Sequence, residues 1–489
     1  MNLDFLDPIL KYIPEISKPS EPLSFKQKLK WTAVIMSIYF FMFSTPVFGV
    51  STATISQPLI QLISVIFASR IGSLITVGIG PIVLSSIVLQ LIVGTGIFDV
   101  DLNDSEQKGR FQGIQKLAAI VIALIESYIF VATGYVPILG ASYIGIVMIQ
   151  LAVSAIFIIF LDEAMTKYGI TSGINLFIAG GVAYSIVAGT ITIIFAEAIQ
   201  AIGAGGATAI PNAILAFGPL FFAILVFLVC IYVYDMKVEL PLVFSQMRGV
   251  GGRLPIPFLY VSVLPVILAT SFELSLTVWL RFFANVTGAF ANIVKFVVYY
   301  ASVPTASGGT QLNLVGGIVY LISPNFPLPY STSYGGIGGY ASYFSYLATG
   351  TSQLYLPWGG MILVPEFVHI IIYTLVLVFL AVIFGRFWIE MTGQNPKSVA
   401  EQLGDVGWQI PGFRRDPRIV ENILNRYIPT ITVLGSMFVA ILAAAATLTG
   451  AVGTGMGILL TVGIMYTVYQ QLEQEHSLDS YPQLNKLLS

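Results

Sequence analysis

Residues 68–98 constrain this chain more than any other segment. The run opens Ala-Ser-Arg-Ile-Gly-Ser-Leu-Ile-Thr-Val-Gly-Ile-Gly-Pro, and after Arg70 it carries no charge as far as Phe98. That is enough for a bilayer, whose apolar core takes about 20 helical residues. Yet it holds Gly72, Gly78, Gly80 and Pro81, residues that weaken or break a helix. Unpaired backbone groups are costly in lipid, so irregular backbone at membrane depth has to be surrounded by protein or water. A broken apolar span therefore points to a pathway through a membrane, and away from a simple anchor.

The rest of the chain agrees. Only 9% of the 489 residues are charged and 56% are hydrophobic, where a soluble domain carries about 25% charged residues. This is the composition of a polytopic membrane protein. The net charge of −2 speaks against an overall polyanion binder. The one cysteine, Cys230, excludes an intramolecular disulfide and a Cys-rich metal site. With only His369 and His476, haem and zinc sites are poorly supplied. Lys11, Lys18, Lys26, Lys28 and Lys30 precede the first apolar run and no small-residue cleavage site lies near it, so that span is expected to be retained.

About ten spans are expected, at residues 31–50, 73–98, 117–136, 143–161, 173–199, 213–233, 258–283, 361–389, 428–448 and 453–469. An even number puts both termini on one side. Of the 22 Lys and Arg, all but Arg70, Arg281 and Lys295 fall on that side, which makes it cytoplasmic. The cytoplasmic loops are then 99–116, 162–172, 234–257 and 390–427.

Three segments do not fit a plain bundle. Residues 1–18 carry Leu3, Leu6, Ile9, Leu10 and Ile13, a helical stripe suited to a membrane surface. Residues 52–69 are apolar but too short to cross and read as a half-helix folded back into the protein. Residues 284–356 form a long external loop rich in Gly, Ser, Tyr and Pro. Gly169-Ile-Thr-Ser-Gly-Ile174 and Gly453-Thr-Gly-Met-Gly-Ile458 open the fifth and tenth spans with one spacing. Two blocks of five spans have opposite orientation, as in inverted-repeat transporters.

Ile79 and Val83 share one helix face, as do Ile174 and Ile178. Aliphatic side chains at a constriction block ions by dewetting, and ordinary bundle packing uses the same spacing. Glu126 and Glu273 lie inside spans, as proton or ion sites or as neutral helix contacts. His369 reads as a structural hydrogen-bonding residue. The basic loops 247–253 and 412–418 suit phosphate or carboxylate contacts, or simply set topology. No P-loop, metalloprotease His-Glu pair or facing aspartate pair occurs, so no catalytic, cofactor or metal residues are assigned.

Nearly the whole chain resembles the SecY family in its archaeal form, the pore subunit of the general protein-secretion channel. The resemblance rests on Phe25-Lys-Gln-Lys-Leu-Lys-Trp31, residues 68–83, Phe111-Gln-Gly-Ile-Gln-Lys116, residues 161–174, Tyr260-Val-Ser-Val-Leu-Pro-Val-Ile267, Gly412-Phe-Arg414, Arg426-Tyr-Ile-Pro429 and Gly457-Ile-Leu-Leu-Thr-Val462. Together these are highly specific, although any one alone is weak.

The resemblance implies an all-α protein with two inverted five-helix halves around an hourglass pore. Residues 1–30 would form a cytoplasmic N-terminal segment, 31–205 and 206–472 the two halves, and 473–489 a cytoplasmic tail. By motif position the pore ring would be Ile79, Val83, Ile174, Ile178, Ile267 and Leu460. Residues 52–69, with Thr54, Pro58, Leu62 and Ile66, would be a plug. The second and third spans would face the seventh and eighth as a lateral gate into lipid, with Leu84, Glu126 and Ser275 at its polar positions. Leu84 and Ser275 depart from the Thr and Asn often found there, so the gate is expected to hold itself with fewer polar contacts. The loop between spans seven and eight also looks longer than is usual in the family. Arg248, Arg253, Arg414, Arg415 and Arg426 would dock the ribosome. Further implied partners are the small translocase subunits (SecE and the beta subunit), signal peptides, nascent chains and membrane lipid.

The expected function is a passive protein-conducting channel in the cell membrane, releasing apolar segments laterally into lipid, with no enzymatic activity and no cofactor. The alternatives are a secondary transporter coupled through Glu126 and Glu273 and, with less support, an intramembrane enzyme. Residues 296–365 and 31–69 contain no Asp, Glu, Lys, Arg or His. An exterior so poor in titrating groups is expected to suit acid conditions.

Overall fold

The computed structural model describes all residues except 1–12, 22, 52–62, 95–104, 204, 207–208, 245–250, 262, 285, 287, 289, 305–309, 328–339, 407, 410–416 and 481–489. Thr54, Pro58, Leu62, Arg248, Arg414 and Arg415 lie outside the described residues, as do Leu3, Leu6, Ile9 and Leu10.

Each of the ten apolar segments contains a helix: α1 Phe25–Ser44, α2 Gly80–Gly94, α3 Ser105–Ala132, α4 Ile144–Tyr168, α5 Gly173–Gly189, α6 Gly218–Asp235, α7 Leu264–Leu280, α8 Glu366–Met391, α9 Pro417–Leu448 and α10 Gly455–Ser480. Six helical stretches, in α3, α4, α6, α7, α8 and α9, are long and apolar enough to cross a membrane. The apolar parts of α2, α5 and α10 are shorter. The chain is a multi-pass membrane protein.

Proline and capping side chains set several helix starts. Ser24 and Gln27 form a reciprocal capping box at α1, with the Ser24 amide donating to Gln27 Oε1 at 3.0 Å. Pro219 and Pro265 sit in the first turns of α6 and α7, where a missing N–H leaves no bond unmade. The seventh span accordingly starts at Leu264, six residues later than its apolar run. The eighth also starts late: Met361–Pro365 is a strand, Pro365 is the N-cap, and α8 begins at Glu366. Hydropathy cannot see this boundary because the strand and helix are equally apolar. Beyond α5, a π turn at Thr190–Phe195 leads into helix Ala196–Gly203.

Two small sheets flank the helices. At the end where α6 finishes and α9 begins, β1 Lys237–Phe244, β2 Gly251–Pro257 and β7 Trp408–Gln409 run in the order β2-β1-β7, antiparallel. Leu240 and Ile256 of this sheet share a core with Leu424 and Ile428 at the foot of α9. At the opposite end, β3 Tyr299–Pro304, β4 Thr310–Gly316, β5 Thr351–Tyr355 and β6 Met361–Pro365 form a sheet in sequential order. Residues 284–356, expected as a loop, thus hold most of a sheet and short helices. Helix Tyr340–Thr349 is fastened to the end of α9, where the Tyr343 hydroxyl donates to the Leu448 carbonyl at 2.8 Å.

Residues 13–18 run without helix along the ends of α3 and α4. The Ile16 amide donates to Glu163 Oε1 at 3.0 Å, the Tyr168 hydroxyl to the Ser17 carbonyl at 2.9 Å, and Lys167 pairs with Glu15 at 2.8 Å. This part of the N-terminal segment therefore docks on protein and does not continue a helical stripe on a membrane surface.

Candidate constriction and lateral gate

The six aliphatic positions come together from four helices. Ile79 and Val83 at the start of α2, Ile178 on α5, Ile267 on α7 and Leu460 on α10 are buried in one hydrophobic cluster, and Ile174 packs against it. Two of these helices, α5 and α10, carry the matched glycine motifs, and they pack face to face. A Cβ at Gly457 would lie 2.7 Å from Val182, so the small residue sets how closely they approach.

The broken backbone of residues 67–80 places the ring's α2 members. The Ile79 amide donates to the Phe67 carbonyl at 2.9 Å. Gly78 makes this possible: it has φ +62°, and a Cβ there would lie 2.1 Å from that same carbonyl oxygen. Ala68 has φ +48°, and its carbonyl accepts from the buried Tyr39 hydroxyl of α1 at 2.8 Å. Val65 and Ala68 join the cluster that holds the ring positions, while Ile63, Ile66 and Phe67 are buried in a second cluster with residues of α3, α4 and α7. On α5, the Ile174 amide donates to Asp162 Oδ1 at 2.8 Å. Asp162 thereby caps a helix whose own N-cap residue, Ser172, makes no side-chain cap bond. Sequence reading quoted Asp162 as part of a motif without giving it this role.

Leu84 on α2, Glu126 on α3 and Ser275 on α7 are each buried, on helices that pack where α7 meets α2 and α3. Leu84 joins the apolar cluster. The Ser275 hydroxyl is buried with no hydrogen-bond partner. Glu126 lies against Gly80, the first residue of α2; a Cβ at Gly80 would sit 3.0 Å from Glu126 Oε2. The carboxyl thus occupies the positive end of the α2 dipole. Across the seam, the Trp279 indole of α7 faces Glu126 without closing a hydrogen bond: Nε1 and Oε2 are both buried and unpaired. Trp279 is a neighbour of Glu126 that the sequence did not single out. At the far end of the seam, the Arg281 guanidinium is buried 4.0 Å from the centre of the Tyr135 ring, a cation–π contact between α7 and the end of α3.

Glu273, the second intramembrane carboxylate, points elsewhere. Both its oxygens are buried without partners, and its electrostatic neighbour is Tyr373 of α8. Among the described residues, no group of three or more His, Cys, Asp or Glu could hold a metal ion.

Of the arginines assigned to docking, Arg253 and Arg426 are described. Arg253 is exposed on β2, but its Nη1 lies 2.7 Å from Glu239 Oε2. That hydrogen bond holds the Glu239 carboxyl below the usual range. Arg426 is exposed on α9 at the same end of the protein.

The fold agrees with known proteins. A family model described as SecY matches residues 73–469. A protein translocase subunit SecY from Methanocaldococcus jannaschii is 37% identical, the match covering 99% of each chain. The same subunit from Saccharolobus solfataricus is 33% identical, again over 99% of each. A solved structure described as a protein conducting channel superposes with TM-score 0.77 at 36% identity, over 98% of each chain. Sec61 in a canine ribosome–channel complex gives 0.74 at 36% identity and equal coverage. With a family model spanning most of its length and relatives above 30% identity from end to end, the chain belongs to the SecY family.

Proposed function

We propose that this chain is a protein-conducting channel that passes unfolded polypeptides across a membrane and releases apolar segments sideways into lipid. One observation carries the reading: Ile79, just before α2, and Val83, Ile178, Ile267 and Leu460 on α2, α5, α7 and α10 are buried in one hydrophobic cluster, Ile174 packs against it, and Val65 and Ala68 of the 52–69 segment belong to the same cluster. Such a ring excludes ions by dewetting and yields when a larger, extended chain is pushed through. Residues 52–69 act as the plug. The α2–α3 and α7–α8 pairs, in contact along the Leu84–Glu126–Ser275 seam, are the closed lateral gate. Helices α1–α5 (31–205) and α6–α10 (206–472) are the two inverted halves.

Both termini face the cytoplasm of the cell, because the basic residues gather at that end. That end, with β1–β2, Arg253 and Arg426 and the loops carrying Arg248, Arg414 and Arg415, takes the ribosome. The likeness to Sec61 solved in a ribosome–channel complex supports this. The driving force comes from that partner, and the small translocase subunits (SecE and the beta subunit) complete the assembly. The chain itself is no enzyme. Reconstitution with ribosomes carrying a secretory chain tests the reading: the chain should become protected inside the vesicle, and Glu126→Gln should only tune the yield. Solute uptake abolished by Glu126→Gln, with no protein translocation, would favour a coupled transporter instead.

A further inference from the structure

The β3–β6 sheet leaves an apolar hairpin uncovered. β5 and β6 pair antiparallel, from Thr351 against Pro365 to Tyr355 against Met361. The turn is Pro357-Trp358-Gly359-Gly360, with both glycines at φ near +100° and the Leu356 amide donating to the Gly360 carbonyl at 3.0 Å. β6 is the last strand of its sheet. Exposed edges in water are normally guarded by charge, because an open row of apolar residues and backbone groups invites aggregation. Here residues 296–365 contain no Asp, Glu, Lys, Arg or His at all.

The exposure falls on large apolar side chains. Trp358 is 80% exposed, and Met361, Ile362 and Leu363 are 46%, 49% and 55% exposed. Consecutive strand residues point to opposite faces. Exposure of three in a row therefore means that both faces of β6 stand clear of the protein. β5 is anchored inward, since Tyr355 packs on Tyr299 with ring centres 4.6 Å apart. The base of the hairpin is fixed as well: the Glu366 amide donates to the Gly350 carbonyl at 2.8 Å, and Pro365 caps α8. The hairpin thus springs from the residue at which a membrane-crossing helix begins. A five-residue strand extends about 17 Å, so the tip remains within reach of that membrane surface.

We propose that the β5–β6 hairpin lies in the headgroup region of the leaflet on that side, with Trp358 as an interfacial anchor and Met361, Ile362 and Leu363 against lipid. Indole rings favour this zone because they pair an apolar body with a polar N–H. The hairpin itself carries no charge, and the neighbouring cation, Lys295, is held over the Tyr355 ring at 5.6 Å, on the strand anchored inward, so the partner is a lipid surface as such. Binding is expected to be indifferent to anionic headgroups and to salt, unlike polybasic attachment. The anchor also tethers the start of α8, one of the helices beside the gate. The inference needs only that α8 enters the bilayer near Glu366.

Fluorescence depth measurement on the full chain in nanodiscs tests it. Cys230 is buried, which leaves Trp358→Cys as the accessible labelling site for an environment-sensitive dye. The dye should emit to the blue. Lipids spin-labelled near the headgroup should quench it more strongly than lipids labelled deep in the chain, and iodide quenching should fall several-fold below that of free dye. Discs of neutral lipid and of part-anionic lipid should agree. Because the label replaces the anchor, a second measurement uses the native residue: brominated lipid should quench the wild-type minus Trp358→Phe difference emission. Quenching by iodide as for free dye, quenching by no agent, or a requirement for anionic lipid would each overturn the proposal, placing the hairpin in water, under protein, or on an electrostatic site.

Discussion

Removing His369 should unfasten the far-end sheet from α8, and the structure sets the scale. Glu366 and His369 are fully buried in the first turn of α8. His369 Nδ1 lies 2.9 Å from Glu366 Oε2 and Nε2 lies 3.1 Å from the Ser323 carbonyl oxygen. The Tyr320 hydroxyl donates to Glu366 Oε1 at 2.9 Å. The imidazole sits between Phe326, stacked at 4.4 Å, and Tyr320 at 4.6 Å. His369→Ala removes one bond to a carboxyl, about 1.5–3 kcal/mol, and one to a backbone carbonyl, about 1 kcal/mol. Lost ring stacking adds about 0.5–1.5 kcal/mol. The total, about 3–5 kcal/mol, is at the scale of breaking a buried pair. At about 1.4 kcal/mol per factor of ten, local opening should rise at least about a hundredfold. Tyr320→Phe loses one bond and should cost about 1.5–3 kcal/mol. Hydrogen exchange of the amides at 318–326, in nanodiscs, reads both. If both variants stay within about 0.5 kcal/mol of the parent, or Tyr320→Phe costs more than His369→Ala, these bonds do not fasten the sheet.

Replacing several of Ile79, Val83, Ile174, Ile178, Ile267 and Leu460 with Ser should wet the ring and raise resting ion conductance in a planar bilayer; unchanged conductance of folded protein argues against a dry seal. Leu84→Thr supplies a partner near Glu126, and such bonds average about 0.6 kcal/mol in membranes. It should therefore shift the hydrophobicity at which a test segment enters lipid without stopping secretion, and an unmoved threshold across a graded series counts against that role. Charge reversal at Arg426 should weaken ribosome binding and lower its salt slope, whereas an equal slope assigns Arg426 to topology. Residues 296–365 hold nothing that changes charge between pH 7 and pH 3. The titratable groups that hold this segment from α8, Glu366 and His369, are fully buried, so the protease resistance of 284–356 should be flat over that range, and its loss with the helices still folded would contradict the expected fitness for an acid exterior.

Periodicity and hydropathy located every long helix, because a lipid-facing helix must be apolar along its length. They failed where the environment, and not the residue type, decides the structure. Met361–Pro365 is as apolar as the helix after it, and only pairing with β5 makes it a strand. The sheet within 284–356 was invisible because an uncharged, Gly- and Tyr-rich sequence reads as loop when its pairing partners are unknown. The ring positions are assigned through the resemblance alone; helical spacing could not separate them from ordinary packing. Asp162 as the cap of α5, Trp279 opposite Glu126, and the Tyr320–Glu366–His369 network depend on contacts between distant segments. Only His369 left a trace, as a lone histidine fit for structural hydrogen bonding, and its partners come from the fold.

The most direct test of channel function is a photocrosslink from a stalled secretory chain. A photoreactive residue at Ile79 or Ile267 should capture the translocating polypeptide, and one at the exposed Ile199 should not. Capture at Ile199 with none at the ring would contradict a path through the centre of the protein.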